Sequence, residues 1–263
     1  MTVGEVRELT DKEKDTLHAA EQHLLRDCIR ARGFSYSVVP RRPVPEEREF
    51  RYVIDDIAWA RLHGYGSDLQ RRAERIRGED PNQRYFKSLT AERRAAALAA
   101  VNGASPRGLS VRTPDGMLLT RSAEGCRAHA ERTLYRDLGA WFRARSTLES
   151  LREMRTERVL ADHDYARATR PWSRCMRAAG HPYTTPGAVR QALAAARPPL
   201  PRSREVALAV TEATCARSSG LAATAGRLDR THDTELRRLH QSDVITGLRL
   251  QLAALPRARS LPH

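Results

Sequence analysis

No apolar stretch in this 263-residue chain approaches the ~20 residues that a bilayer-spanning helix needs, so no transmembrane segment is expected. Lysine is almost missing: Lys12, Lys14 and Lys87 are the only three among 46 basic residues, and the rest are arginine. Met1–Glu5 has neither a basic start nor an apolar core, so these residues do not read as a signal peptide. The sequence also has no C-x-x-C, no H-E-x-x-H, no Walker A loop, no G-x-S-x-G elbow and no dinucleotide fingerprint. These absences exclude the commonest redox-thiol, zinc-protease, nucleotide-hydrolase and serine-hydrolase designs. No catalytic residue and no cofactor is expected, and the chain reads as non-enzymatic.

The formal net charge of +14 invites a nucleic-acid reading. Its distribution argues otherwise. An arginine and alanine excess with almost no lysine is what GC-rich coding writes at tolerant surface positions. The arginines are spread along every predicted helix and are not gathered into one block, which describes a solvated basic face. No sequence-specific nucleic-acid binding is expected. Weak electrostatic attraction to an anionic partner is. With 40% hydrophobic residues, the composition is that of a globular chain long enough to bury a core.

One motif occurs twice. Cys28-Ile-Arg-Ala-Arg-Gly33-Phe-Ser-Tyr36 recurs as Cys175-Met-Arg-Ala-Ala-Gly180-His-Pro-Tyr183. Each copy sets a cysteine near a helix end, a glycine five residues on and a tyrosine three beyond that. The remaining cysteines, Cys126 and Cys215, each follow one copy. The expected bridges are Cys28–Cys126 and Cys175–Cys215, although four cysteines allow three connectivities and sequence alone leaves them open. Bridged thiols imply an oxidising compartment, extracellular or in the cell envelope; reduced thiols would imply the cytoplasm.

Helical periodicity organises most of the chain, and the predicted fold is mainly α, with antiparallel helices in two disulfide-closed units. Thr10 and Glu13 form a capping box ahead of a stripe of Leu17, Ala20, Leu24 and Cys28, ended by Gly33. Tyr165, Ala168, Trp172, Cys175 and Ala179 form a similar stripe ended by Gly180. Cys126 to Trp141 reads as a third helix, Leu208 to Cys215 lie on a fourth ended by Gly220, and Leu221 to Leu255 reads as one long final helix with weak points at Gly226 and Gly247. Further helices are expected over Asp56–Leu62, Ser67–Arg77, Thr90–Val101, Thr147–Ala161 and Pro186–Ala196. Phe50–Ile54 reads as extended, and residues 109–121 as a hairpin around Thr113-Pro-Asp-Gly116. The implied organisation is a tail at 1–8, a first unit at 9–145 and a second at 146–263, packed as one compact domain.

The segment 34–86 is irregular and holds eight of the chain's aromatic residues. Long irregular chain must bury rings to stay ordered, so a satellite core is one reading. A ligand-binding groove is the other, with Trp59, Tyr65, Arg84 and Tyr85 as candidate contacts because they combine flat faces and donors beside glycine turns. Cys126 with His129, and His232 with Glu235, have helical i, i+3 spacing. Neither pair has a matching second pair, so no metal site is expected. Asp162-His163-Asp164 reads as a helix start.

The paired C-x4-G-x-x-Y motifs resemble those in a group of Arg/Ala-rich proteins of high-GC actinobacteria that are usually predicted to be exported, often as lipoproteins. The matching residues are Cys28 to Tyr36, Glu124-Gly-Cys126 with Leu134-Tyr135, Trp172 to Met176 with Tyr183, and Glu212 with Cys215. The resemblance implies export and a disulfide-bonded helical fold, and it carries no mechanism. The leading expectation is a non-enzymatic, exported or envelope-associated protein that binds an anionic envelope polymer or another envelope protein. An enzyme or biosynthetic accessory protein with its site in 34–86 is the alternative, and a cytosolic nucleic-acid-binding protein the third reading.

Overall fold

The computed structural model describes residues 6–261, of which helices make up most. Among them are twelve helices and one two-stranded sheet. In chain order they are α1 (Asp11–Ala31), α2 (Ile57–His63), α3 (Ser67–Gly78), α4 (Pro81–Ser88), α5 (Ala91–Asn102), β1 (Gly108–Arg112), β2 (Leu118–Ser122), α6 (Gly125–Tyr135), α7 (Leu138–Ala161), α8 (His163–Ala178), α9 (Pro186–Ala195), α10 (Arg202–Ser218), α11 (Leu221–Leu239) and α12 (Gln241–Ser260). The strands pair antiparallel, with Ser110 opposite Thr120. None of the described helices is long and apolar enough to cross a membrane.

The helix ends follow local chemistry. Thr10 Oγ1 accepts from the Glu13 amide and the Glu13 carboxylate accepts from the Thr10 amide, completing the capping box of α1. At the other end, the Gly33 amide donates to Arg30 O and the Phe34 amide to Ile29 O, with Gly33 at φ 77°. The second copy of the motif repeats this: Gly180 donates to Arg177 O and His181 to Met176 O, with Gly180 at φ 86°. The duplicated sequence is therefore a cysteine in the last turn followed by a Schellman cap, which needs a left-handed residue where glycine costs least.

The chain divides into two compact units, each built from separated segments. The first holds residues 1–43, 74–151 and 237–263; the second holds 44–73 and 152–236. This differs from the single break at residue 145 read from the sequence. The first half donates 44–73 to the second unit, and the last helix returns to the first, because packing follows buried stripes and not chain order. In the first unit Leu17, Ala20, Leu134, Trp141, Ala254 and Ala258 form one core, and Ile29, Phe34, Ala97, Ala100 and Cys126 form another. In the second, Trp172, Met176, Val189, Leu208, Cys215, Leu221 and Leu228 form the main core. Each unit contains one bridge: Cys28–Cys126 with Cα atoms 5.5 Å apart, and Cys175–Cys215 at 5.6 Å. No cysteine is free. Two bridges fit an oxidising environment.

Three local expectations are corrected. Residues 50–54 form no strand; side chains meet their backbone instead, Glu212 accepting the Ile54 amide and Arg190 and Tyr165 donating to the carbonyls of Phe50 and Tyr52. The helix expected over Cys126–Trp141 is two helices, broken at Arg136 (φ 67°), after which Asp137 Oδ1 accepts the Ala140 amide and starts α7. The long final helix breaks at His240, between α11 and α12, and not at a glycine. Gly247 instead lets helices approach: a Cβ there would lie 3.3 Å from Ala144 Cβ and 3.2 Å from Leu148 Cδ1.

Candidate functional site

In the second unit α10 organises the irregular segment through three charged side chains. Arg202 and Glu205 lie in its first turn, and Glu212 two turns further on. Arg202 donates to Leu62 O at 2.5 Å and His63 O at 2.6 Å, covering the open carbonyls at the end of α2. Glu205, only 4% exposed, accepts from the amides of Tyr65 (2.8 Å) and Ser67 (3.2 Å) and from the Ser67 hydroxyl. Glu212 is fully buried; it accepts from the Ile54 amide at 3.1 Å and from the Tyr65 hydroxyl.

These carboxylates supply the acceptors that neighbouring carbonyls supply in a helix or sheet. The buried amide at 54 and the half-buried ones at 65 and 67 would otherwise lack these partners. Burial pushes the Glu212 carboxyl above the ordinary carboxylate range, against the lowering effect of its two donors and Arg190. The Tyr65 hydroxyl is pushed up too, first by burial and then by the adjacent Glu212. Gly64 is required here: at φ 59°, a Cβ would stand 2.9 Å from Glu205 Oε1 and from Arg202 Nη1.

Trp59, at 7% exposed, packs with Val44 and Leu69, tilts against Phe50 at 4.8 Å and donates its Nε1–H to Glu46 O at 3.0 Å. Beside it lies a cleft of about 400 Å³ lined by Phe50, Trp59, Tyr65, Ser67, Gln70, Arg190, Leu193 and Leu200, among others. Arg190 is committed to Phe50 O at 2.7 Å. Most polar groups on this wall already have partners, and the arrangement is that of a satellite core.

Of the four residues singled out in the sequence, Trp59 and Tyr65 meet at this cleft. Arg84 and Tyr85 do not join them, because α4 belongs to the first unit. Arg84 is exposed there. Tyr85 lines another cleft, of about 620 Å³, with Phe34, Tyr36, Phe86, Ala97, Val101 and others. Among the described residues no group of three or more His, Cys, Asp or Glu side chains could hold a metal. Cys126 is bridged to Cys28. His232 faces Asp162 at 3.4 Å and Glu235 at 3.9 Å, and Asp162 caps α8.

The third cleft, of about 500 Å³, runs along α8 to the start of α9, in the second unit. Arg170, Arg174 and Arg177 line it at i, i+4 and i+7, so they share one helix face. Thr184 and Thr185 line it as well; the Thr185 hydroxyl accepts the Ala188 amide and caps α9. Several other arginines of this unit are matched to acids: Arg155 to Asp229 and Asp233, Arg158 to Glu235, and Arg167 and Arg227 to Asp164. None of the three cleft arginines makes an ion pair with a described residue.

No family model, curated protein or solved structure matches this chain.

Sequence reasoning did not single out Glu205 or this arginine face. A signal existed for the glutamates. Glu205, Leu208, Glu212 and Cys215 are spaced 3, 4 and 3 residues apart, so both acids sit on the buried stripe of α10, where an unpaired carboxylate would be costly. For the arginines the spacing was visible, but most of the acids paired with Arg155, Arg158 and Arg227 come from another helix.

Proposed function

We propose that this protein is a non-enzymatic, exported or envelope-associated binding protein whose partner is a polyanion of the phosphodiester type, held along α8. The observation that carries the reading is the cleft in which Arg170, Arg174 and Arg177 stand on one face without acidic neighbours. Guanidinium groups present planar donor forks suited to phosphate oxygens. Rows of them one turn apart can follow a repeating anion. The two bridges and the likeness of the paired cysteine motifs to those of exported actinobacterial proteins support the compartment.

The test is binding of a labelled poly(glycerol phosphate) chain at low and physiological ionic strength. The triple variant Arg170→Ala, Arg174→Ala, Arg177→Ala should lose at least tenfold in affinity at physiological salt. A control triple removing the exposed Arg75, Arg77 and Arg94 should lose little at that salt, because screening over about 8 Å leaves scattered charges weak. Equal losses in both triples would show that overall charge, and not the cleft, does the binding. A random duplex DNA library run in parallel should bind only at low salt and without sequence enrichment. One enriched, tightly bound sequence would transfer the assignment to nucleic acid.

A further inference from the structure

The first unit holds the largest of the clefts described above, about 620 Å³, and its lining has a different chemistry from the arginine face of α8. Its base is apolar: Ile29, Phe34 and Ala97 are buried core residues, with Val101 and the ring of Phe86 packed against them. Leu98 lines it while remaining 52% exposed. One side of the cleft is α4. No side chain of this eight-residue helix is fully buried; Tyr85 and Phe86 are half-buried and line the cleft.

Polar contacts also fix α4. Asp80 accepts the Asn82 amide at 2.8 Å, and the Asn82 side chain accepts from Ser37 N at 2.7 Å and donates to Ser37 O at 2.9 Å. The short helix is therefore held by its cap, one amide clamp and the packing of Tyr85 and Phe86 on the apolar core, and both half-buried rings also line the cleft. Two cations line the same cleft, Lys87 from the end of α4 and Arg127 from α6. Neither makes an ion pair with a described residue, and Asp80, committed to its cap, is the one acid in the lining.

We infer that this cleft binds a single-chain amphiphile with an anionic head, its alkyl chain over Phe34, Phe86, Ala97 and Leu98 and its head beside Lys87 and Arg127. Apolar walls with a few placed polar groups and a volume within 300–1,000 Å³ are the usual properties of a small-ligand site. Apolar surface alone would accept any hydrocarbon; the two cations select the sign of the head. The head can be a carboxylate, as in a free fatty acid, or a phosphate monoester, as in a lipid fragment. The inference is independent of the α8 reading.

The experiment titrates the intact, oxidised protein with octanoate, decanoate and dodecanoate below their micelle concentrations, by calorimetry, with dodecyl phosphate as the second anionic arm. One-to-one binding is expected, tightening by up to about fourfold per added methylene until the cleft is full. Dodecyl phosphate binding more than about fourfold tighter than dodecanoate, whose alkyl chain is one carbon shorter, assigns the head to phosphate, and any smaller advantage or the reverse order assigns it to carboxylate. Dodecyltrimethylammonium, with the same chain and opposite head, should bind at least tenfold more weakly. The exposed double variant Lys87→Gln, Arg127→Gln should lose about tenfold for the anions and bring the two head groups to parity, and Leu98→Asp should weaken every chain. Circular dichroism and the absence of free thiols check that the variants fold. Failure of both anions to bind, equal affinity for the cationic surfactant, or binding unchanged in the double variant would each overturn the assignment.

Discussion

The two units solve one packing problem with the same parts used differently. Each has a cysteine in a last helical turn, a Schellman cap after it and a bridge to a later helix. Each also sets a buried tyrosine hydroxyl on a glutamate: Tyr135 on Glu21 at 2.8 Å in the first, Tyr65 on Glu212 in the second. In the first unit the pair joins two regular helices, α1 and α6, whose backbones are satisfied within themselves. The nearby Glu131 is matched by Arg121 and Arg145. In the second, Glu212 and Glu205 also accept from amides of chain that has no ladder of its own. A buried carboxylate can thus be an accessory to packing or a substitute for secondary structure. The two uses differ in what its loss would strand.

The largest expected effect breaks both units alike. Replacing Cys28 or Cys175 with Ser removes closures of 98 and 40 residues, worth about 4.7 and about 3.9 kcal/mol in the chain-entropy model. Urea melts of the single variants should show the first unit suffering slightly more. A reversed order would mean that the reduced chain keeps structure around Cys28.

Next come the carboxylates. Glu212→Ala should cost about 3 kcal/mol or more, because it leaves the buried Ile54 amide and Tyr65 hydroxyl unpaired. Glu21→Ala should cost less, about 1–2 kcal/mol, since only the Tyr135 hydroxyl loses a partner. Amide exchange sharpens the contrast: protection at Ile54 should collapse in Glu212→Ala, and backbone protection in α1 should persist in Glu21→Ala. Equal losses would remove the distinction drawn between the units.

Glycine substitutions give a smaller contrast. Gly33→Ala meets nothing within 4 Å and should cost only the left-handed penalty, about 1 kcal/mol. Gly64→Ala adds a collision with Glu205 and Arg202 and should cost about 2 kcal/mol or more. Thermal midpoints of the two variants test this directly.

The smallest effect is on pH. Burial raises the Glu212 carboxyl above its ordinary value of 4.5, so the folded state holds that proton more tightly than the unfolded chain. Its contribution is fully present below about 4.5 and is lost as pH rises through the folded value. Glu212→Gln should flatten that decline. Half-buried acids such as Asp56 and Asp162 shift downward, first because backbone amides donate to them, and so they weaken the fold as pH falls. Comparing wild type with Glu212→Gln at pH 4.5 and 7 separates the two trends.

Much of the architecture was legible in the residues because its causes are local or periodic. The capping box at Thr10, the glycine-ended helices and the hairpin around Asp115-Gly116 depend on neighbours a few positions apart. The cysteine pairing was legible because a duplicated motif carried one extra cysteine per copy. The breaks at Arg136 and His240 were not. Both sit inside apolar stripes that continue past them, so periodicity reads through the interruption. The candidate contacts were read less well. Trp59 and Tyr65 stand together, but Arg84 and Tyr85 belong to the other unit, since a segment that looks continuous in sequence is divided at residue 73.

The sequence by itself determined a mainly helical chain with two inward cysteine pairs, because side-chain periodicity and cap chemistry act over a turn or two. Only the tertiary structure decided which segments share a unit, which arginines lack acids and which glutamates serve a foreign backbone. Those outcomes depend on groups far apart in the chain, 158 residues in the case of Ile54 and Glu212, and no local preference encodes such a meeting.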